Sequence, residues 1–183
     1  MLKNMERNFR LKLVKSPQQK YKYKIEWFEG MPVDHFSYID SRKFNLRYLI
    51  NIDNFKQKNA PILFFLGEEQ DIENCAELGF IWEIAPEFGA AVIFAEHRYF
   101  GESLPFGNDT FKNVSTLGYL STEQALADFA QLIAYLKEER LNNAENSLVI
   151  GFGASYSGQL AAWMRVKVKK NEYFSVKKYF FNI

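Results

Sequence analysis

Short apolar runs recur along the chain, and their spacing alternates between the period of a strand and that of a helix. "YKIEWF" (Tyr23 to Phe28) and "FNLRYLI" (Phe44 to Ile50) alternate apolar with polar residues and predict two half-buried strands. The second is reached through the turn-like "IDSRK", which implies an antiparallel start. "PILFFLG" (Pro61 to Gly67) is apolar without a break and ends on glycine, as a strand covered on both faces should. A helix-like stretch within Asp71 to Phe88 leads to a second buried strand, "AAVIFAEHR", and then to a loop dense in Gly, Pro, Asn and Ser between Tyr99 and Leu120. In "STEQALADFAQLIAYLKEER", Ser121 and Gln124 form a capping-box pattern, and Ala125, Leu126, Phe129, Leu132, Ile133 and Leu136 recur at helical spacing, a core stripe and not a cofactor box. "SLVIGF" (Ser147 to Phe152) predicts another buried strand, with a helix starting just beyond Ser155. Strands alternating with helices give an α/β class: a mostly parallel, doubly wound sheet with an antiparallel start.

Composition narrows this further. A chain of 183 residues suits one domain with a sizeable core. With 48% hydrophobic residues and a formal charge of +1, nothing points to nucleic acid. Cys75 is the sole cysteine, so an internal disulfide is excluded and a buried free thiol is expected. No apolar run approaches the roughly 18 residues that span a bilayer. Residues 1–24 are polar and lysine-rich, basic but without an apolar core to make an export signal, and read as a loosely ordered leader. Residues 25–168 hold the predicted elements. Residues 169–183 alternate lysines with aromatics and read as an amphipathic strand or helix, or as a membrane-surface anchor.

The candidate chemistry lies in "VIGFGASYSGQLAAW", Val149 to Trp163. The pattern places Ser155 between a buried strand and the helix packing back on it, the setting of a G-x-S-x-G nucleophile elbow. Such a turn forces the serine into a strained conformation and brings strand and helix so close that its neighbours must be small. Gly153 satisfies this on one side, whereas Ser157 stands where glycine is usual. An oxyanion hole requires the N–H after the nucleophile, on Tyr156, and one from the loop after an earlier strand, which places Gly67 and "GEEQ" in that role with Glu68 and Glu69 facing solvent.

The base is the missing part. No histidine or aspartate follows Ser155, and the only later acid is Glu172. His35 and His97 both precede it. His97, in "AEHRYFGES", reads as a structural hydrogen-bonding residue or a pocket lining, and Glu96 with Arg98 as a local charge network or a dyad. There is no zinc spacing, and "GFGASYSG" lacks a P-loop lysine. Tyr156 stands where a dinucleotide fingerprint would need its third glycine, so no metal or other cofactor is expected.

Five segments in order, "VDHF" (Val33 to Phe36), "GFIWEIAPEFGA" (Gly79 to Ala90), "FAEHRYFGESLPFG" (Phe94 to Gly107), "YLSTEQALADFAQLI" (Tyr119 to Ile133) and "GASYSGQLAAWMR" (Gly153 to Arg165), resemble the serine carboxypeptidase S28 family. That family includes prolyl carboxypeptidases, X-prolyl dipeptidyl peptidases and thymus-specific serine protease. The resemblance implies an α/β-hydrolase fold, with residues 25–168 its N-terminal part. It also implies a peptide substrate with proline near the cleaved end, Ser155 as nucleophile, the Tyr156 N–H in the oxyanion hole, and a lysosomal or secreted location. The sequons at Asn108 and Asn113 fit such a location.

Three departures qualify the resemblance. The family usually has glycine at the positions of Ala154 and Ser157, and a "GNEG"-like sequence at "GEEQ". The resemblance ends near Arg165, so the expectation is a fold truncated after the elbow helix, without catalytic Asp and His, and inactive alone. The strand "SLVIGF" would then present an edge for a partner, self-association or the "YFSVKKYFF" tail. A non-catalytic peptide- or partner-binding fragment, and an esterase or lipase on the same fold, are the alternatives.

Overall fold

The computed structural model describes residues 20–167. Its elements in chain order are β1 (Lys24–Pro32), β2 (Lys43–Asn51), β3 (Ile62–Leu66), α1 (Ile72–Ala76), α2 (Phe80–Phe88), β4 (Ala91–Ala95), α3 (Val114–Leu117), α4 (Thr122–Tyr135), β5 (Val149–Phe152) and α5 (Ser155–Lys167). The strands form one sheet in the order β1-β2-β4-β3-β5. β3 pairs parallel with β4 and β5, while β2 pairs antiparallel with both β1 and β4. The antiparallel start and the parallel α/β body are thus both present.

Strand period two sorts the apolar residues onto two faces. Ile62, Phe64 and Leu66 of β3, with Ala91, Ile93 and Ala95 of β4, join Phe129, Leu132 and Ile133 of α4 and Leu160 and Met164 of α5 in one core. Leu63, Phe65, Val92 and Phe94 enter the other, with Ile72 of α1 and Ile81 and Ala85 of α2. Every residue of β3 and β4 is buried, as the unbroken apolar runs required. Among the described residues β5 pairs on one side only.

Three boundaries differ from the pattern. β1 runs on to Pro32 through a register shift between Phe28 and Met31, with Gly30 at φ +81. The helix expected within residues 71–88 is split in two at Gly79, whose added Cβ would lie 2.5 Å from the Tyr21 hydroxyl. Tyr21 and Tyr23, read as leader, stack on Trp82 at 5.5 and 6.0 Å between ring centres. The remaining leader and the tail lie outside the described residues.

The capping box is half realised. Ser121 Oγ accepts the Gln124 N–H at 3.3 Å, but the Gln124 side chain donates to Asp34 (2.6 Å) and accepts the His35 N–H (2.9 Å). That ties the start of α4 to the β1–β2 connection.

Candidate active site

Chain entering the elbow leaves β5 at Phe152 and begins α5 at Ser155 within three residues. So tight a reversal needs an unusual backbone angle, and Ser155 carries it at φ +50, in the left-handed region that costs a non-glycine residue about 1 kcal/mol or more. Gly153 is required by space: a Cβ there would sit 2.2 Å from the Ser157 carbonyl oxygen and 2.7 Å from the Gly158 nitrogen. Ser157, the departure from glycine, is buried and its hydroxyl is fully used. Its Oγ accepts the Ala154 N–H and donates to the Ala154 carbonyl, both at 2.8 Å. The hydroxyl reaches back from the third helical residue to the residue before the helix, the part a Glu or Gln plays in a capping box. Serine here closes the elbow by hydrogen bonds.

Ser155 itself is exposed, and its side chain has no hydrogen-bond partner among the described residues. The next residue, Tyr156, is the second of α5, so its N–H is one of the orphan donors of the helix start. Gly67 is placed differently from expectation. Its N–H donates to the Ala95 carbonyl at 2.8 Å, so an oxyanion donor at this residue would have to leave the sheet. The reason for glycine is close packing, since a Cβ would fall 2.4 Å from that carbonyl oxygen and 2.7 Å from the His97 nitrogen. Glu69 is exposed, and half-buried Glu68 accepts the Gln70 side-chain amide at 2.6 Å.

Glu96 and Arg98 do not pair with one another. Beyond the end of β4 the chain turns, sending Glu96 toward α1 and Arg98 toward α4. Glu96, fully buried, accepts from Arg47 Nη2 (2.6 Å) and the N–H of Ile72 (3.2 Å) on one oxygen. The other accepts from Arg47 Nε (3.3 Å), the N–H groups of Glu102 (3.0 Å) and Ser103 (2.9 Å), and Ser103 Oγ (2.8 Å). Gly101, at φ +56, lets the carboxylate lie against the loop. Arg98, also fully buried, forks onto both oxygens of Asp128 at 2.6 Å and donates to the carbonyls of Val33, Tyr119 and Pro32. The expected single network is two, each anchoring the loop after β4 to a different layer.

Both histidines are engaged away from Ser155. His35 Nε2 is 2.7 Å from Asp128 Oδ1. His97 is buried, with Nδ1 2.6 Å from the Arg98 carbonyl and Nε2 3.3 Å from the Tyr156 hydroxyl. Burial pushes its pKa below the ordinary value. Burial likewise raises the Cys75 thiol to about 12, which removes it as a thiolate nucleophile. Sequence reasoning missed Asp128 and Arg47, because the period puts each at a polar position of its element, where a charge reads as solvent-facing, whereas both are buried.

A groove of about 500 Å³ lies between α4, α5 and Phe36, lined by Thr122, Leu126, Ala130, Trp163 and Lys167, and Ser155 does not line it. Among the described residues no group of three His, Cys, Asp or Glu could hold a metal ion, and no helix is long and apolar enough to cross a membrane.

A family model described as Serine carboxypeptidase S28 matches residues 31–170. The chain belongs to the serine carboxypeptidase S28 family. It is 47% identical to prolyl carboxy peptidase like protein 5 of Caenorhabditis elegans over 149 residues, covering 81% of this chain and 29% of that protein. It is 48% identical to the lysosomal Pro-X carboxypeptidase of Mus musculus over 147 residues, 80% of this chain and 30% of the relative. The chain therefore spans about a third or less of the relatives it matches. Among solved structures, a putative hydrolase from Agrobacterium vitis S4 superposes with a TM-score of 0.57 at 15% identity, over 86% of this chain and 51% of the other. The peroxisomal α/β-hydrolase Lpx1 of Saccharomyces cerevisiae superposes with a TM-score of 0.56 at 13% identity, over 87% and 44%. At such identities the likeness concerns the fold, which is that of α/β hydrolases.

Proposed function

We propose that Ser155 is the nucleophile of a serine-type exopeptidase acting on peptide bonds next to proline, in a lysosomal or secretory setting. The observation that carries this reading is an exposed serine held at φ +50 on the elbow of an S28 family chain. In that role Ser155 Oγ bonds to the scissile carbonyl carbon, the carbonyl oxygen becomes an oxyanion beside the Tyr156 N–H, and the C–N bond breaks as the leaving amine takes a proton. The Oγ proton needs an acceptor that none of the described residues provides: His35 is bound to Asp128 and His97 to Arg98 and Tyr156. In this reading the described residues supply nucleophile and oxyanion donor, and little or no turnover is expected from them alone.

Free imidazole can stand in for the missing base. The expected result is that a fluorophosphonate probe labels the chain only when imidazole is added, and that Ser155→Ala abolishes the labelling. Equal labelling of Ser155→Ala, or none at any imidazole concentration, overturns the nucleophile assignment. Turnover of a proline-containing fluorogenic peptide by the unsupplemented chain, lost in Ser155→Ala, overturns the missing-base reading instead.

The edge of β5 that has no strand partner among the described residues, preceded by exposed Leu148, supports a second reading in which this edge binds a partner strand or another copy. Concentration-independent monomer mass in sedimentation would exclude self-association.

A further inference from the structure

His97 has no part in the chemistry above, yet its ring sits between the end of β4, α4 and the elbow. Its Nδ1 faces the Arg98 carbonyl at 2.6 Å, and a carbonyl oxygen can only accept, so Nδ1 carries the proton. Burial opposes a second proton, which leaves Nε2 bare and able only to accept. The polar group facing Nε2 is the Tyr156 hydroxyl at 3.3 Å, which must then be the donor. The same hydroxyl lies 3.4 Å from Thr122 Oγ1, at the first residue of α4. Tyr156 is thereby held at its far end, while its peptide N–H sits directly after Ser155.

We propose that His97 is a positioning residue that, as an Nδ1–H imidazole, accepts the Tyr156 hydroxyl and so fixes the direction of the Tyr156 peptide N–H at the elbow. The mechanical link is short. Tyr156 belongs to the first turn of α5, so rotation of its side chain about the ring end is transmitted to a backbone already constrained by Ser157. The catalytic meaning of this device rests on Ser155 being the nucleophile, whereas the device itself does not.

The test uses the full chain labelled with ¹⁵N-histidine, where two ring systems, His35 and His97, give distinguishable long-range ¹⁵N–¹H patterns. The expected pattern for His97 is the Nδ1–H tautomer. Tyr156→Phe, which keeps the ring, should shift the His97 Nε2 resonance and leave Nδ1–H in place. An Nε2–H tautomer, or an Nε2 resonance unmoved by Tyr156→Phe, overturns the proposal. The second readout, on the uniformly ¹⁵N-labelled chain, is the backbone order parameter of the Tyr156 N–H. Loss of the hydroxyl anchor should lower it. His97→Gln, which retains an acceptor, should restore most of the order that His97→Leu removes. Equal order parameters in all variants overturn the positioning role. Ser155→Ala should leave both readouts unchanged, so failure of probe labelling with this pattern intact refutes the nucleophile reading and not the His97 assignment.

Discussion

Gly153→Ala places one methyl group into the narrowest gap of the elbow. The new carbon would stand 2.2 Å from the Ser157 carbonyl oxygen, 2.3 Å from the Ser157 carbonyl carbon and 2.7 Å from the Gly158 nitrogen. Relaxed contacts lie near about 3.5 Å, so relief requires roughly 1 Å of movement between β5 and α5. These atoms are backbone, and α5 cannot tilt without disturbing Leu160, Ala161 and Met164, which are buried in the core beneath it. Overpacking of this kind costs about 1–3 kcal/mol, and a backbone clash belongs at the upper end. For a domain of this size about 2–4 °C is lost per kcal/mol, so the melting temperature should fall by about 6–12 °C. Gly118→Ala is the matched control, since its Cβ would meet nothing closer than the Ser115 carbonyl oxygen at 3.7 Å. Calorimetric melts of the parent chain and both variants decide the matter. A Gly153→Ala chain melting within about 1 °C of the parent would show that the elbow is wider than described and that its glycine is not a steric requirement.

Glu96→Gln should destabilise by about 2 kcal/mol in urea unfolding, because either amide orientation turns an NH₂ toward existing buried donors, while Arg47 keeps Asp71 and Glu73 as partners; a loss under about 1 kcal/mol contradicts the hub role. Ser157→Ala should cost about 1–2 kcal/mol by stranding the Ala154 N–H, and an unchanged urea midpoint would mean that the hydroxyl does not close the elbow. Burial holds the His97 pKa below 6.5 in the folded state, so above pH 6.5 both folded and unfolded states are neutral there. As pH falls from 6.5 toward the folded-state value, the unfolded chain takes the proton first and stability drops by up to about 1.4 kcal/mol per pH unit. His97→Gln should therefore flatten the urea stability profile between about pH 7 and 5, and parallel profiles would refute the linkage.

Some of this molecule was written in local pattern. The unbroken runs around Phe64 and Ile93 demanded strands covered on both faces, and the stripe from Ala125 to Leu136 demanded a helix, because burial period depends on backbone geometry and little else. The strained turn at Ser155 was legible for the same reason: a strand, small residues and a helix in immediate succession leave few ways to turn. Even the Ser157 mismatch could be judged small from its size, although its bonds to Ala154 could not be foreseen.

Tertiary structure decided what distant residues do for one another. Strand order put β4 between β2 and β3, which no local period encodes. It brought Arg47 to Glu96 and Asp128 to Arg98 across separations of 49 and 30 residues, dividing what looked like one charge pair into two anchors. It also committed the Gly67 N–H to the sheet and drew His97 toward Tyr156 instead of Ser155. A residue's own neighbours determine whether it is buried and how the backbone bends at it. Which partner meets its polar atoms depends on how separate elements pack, and that is a property of the folded chain.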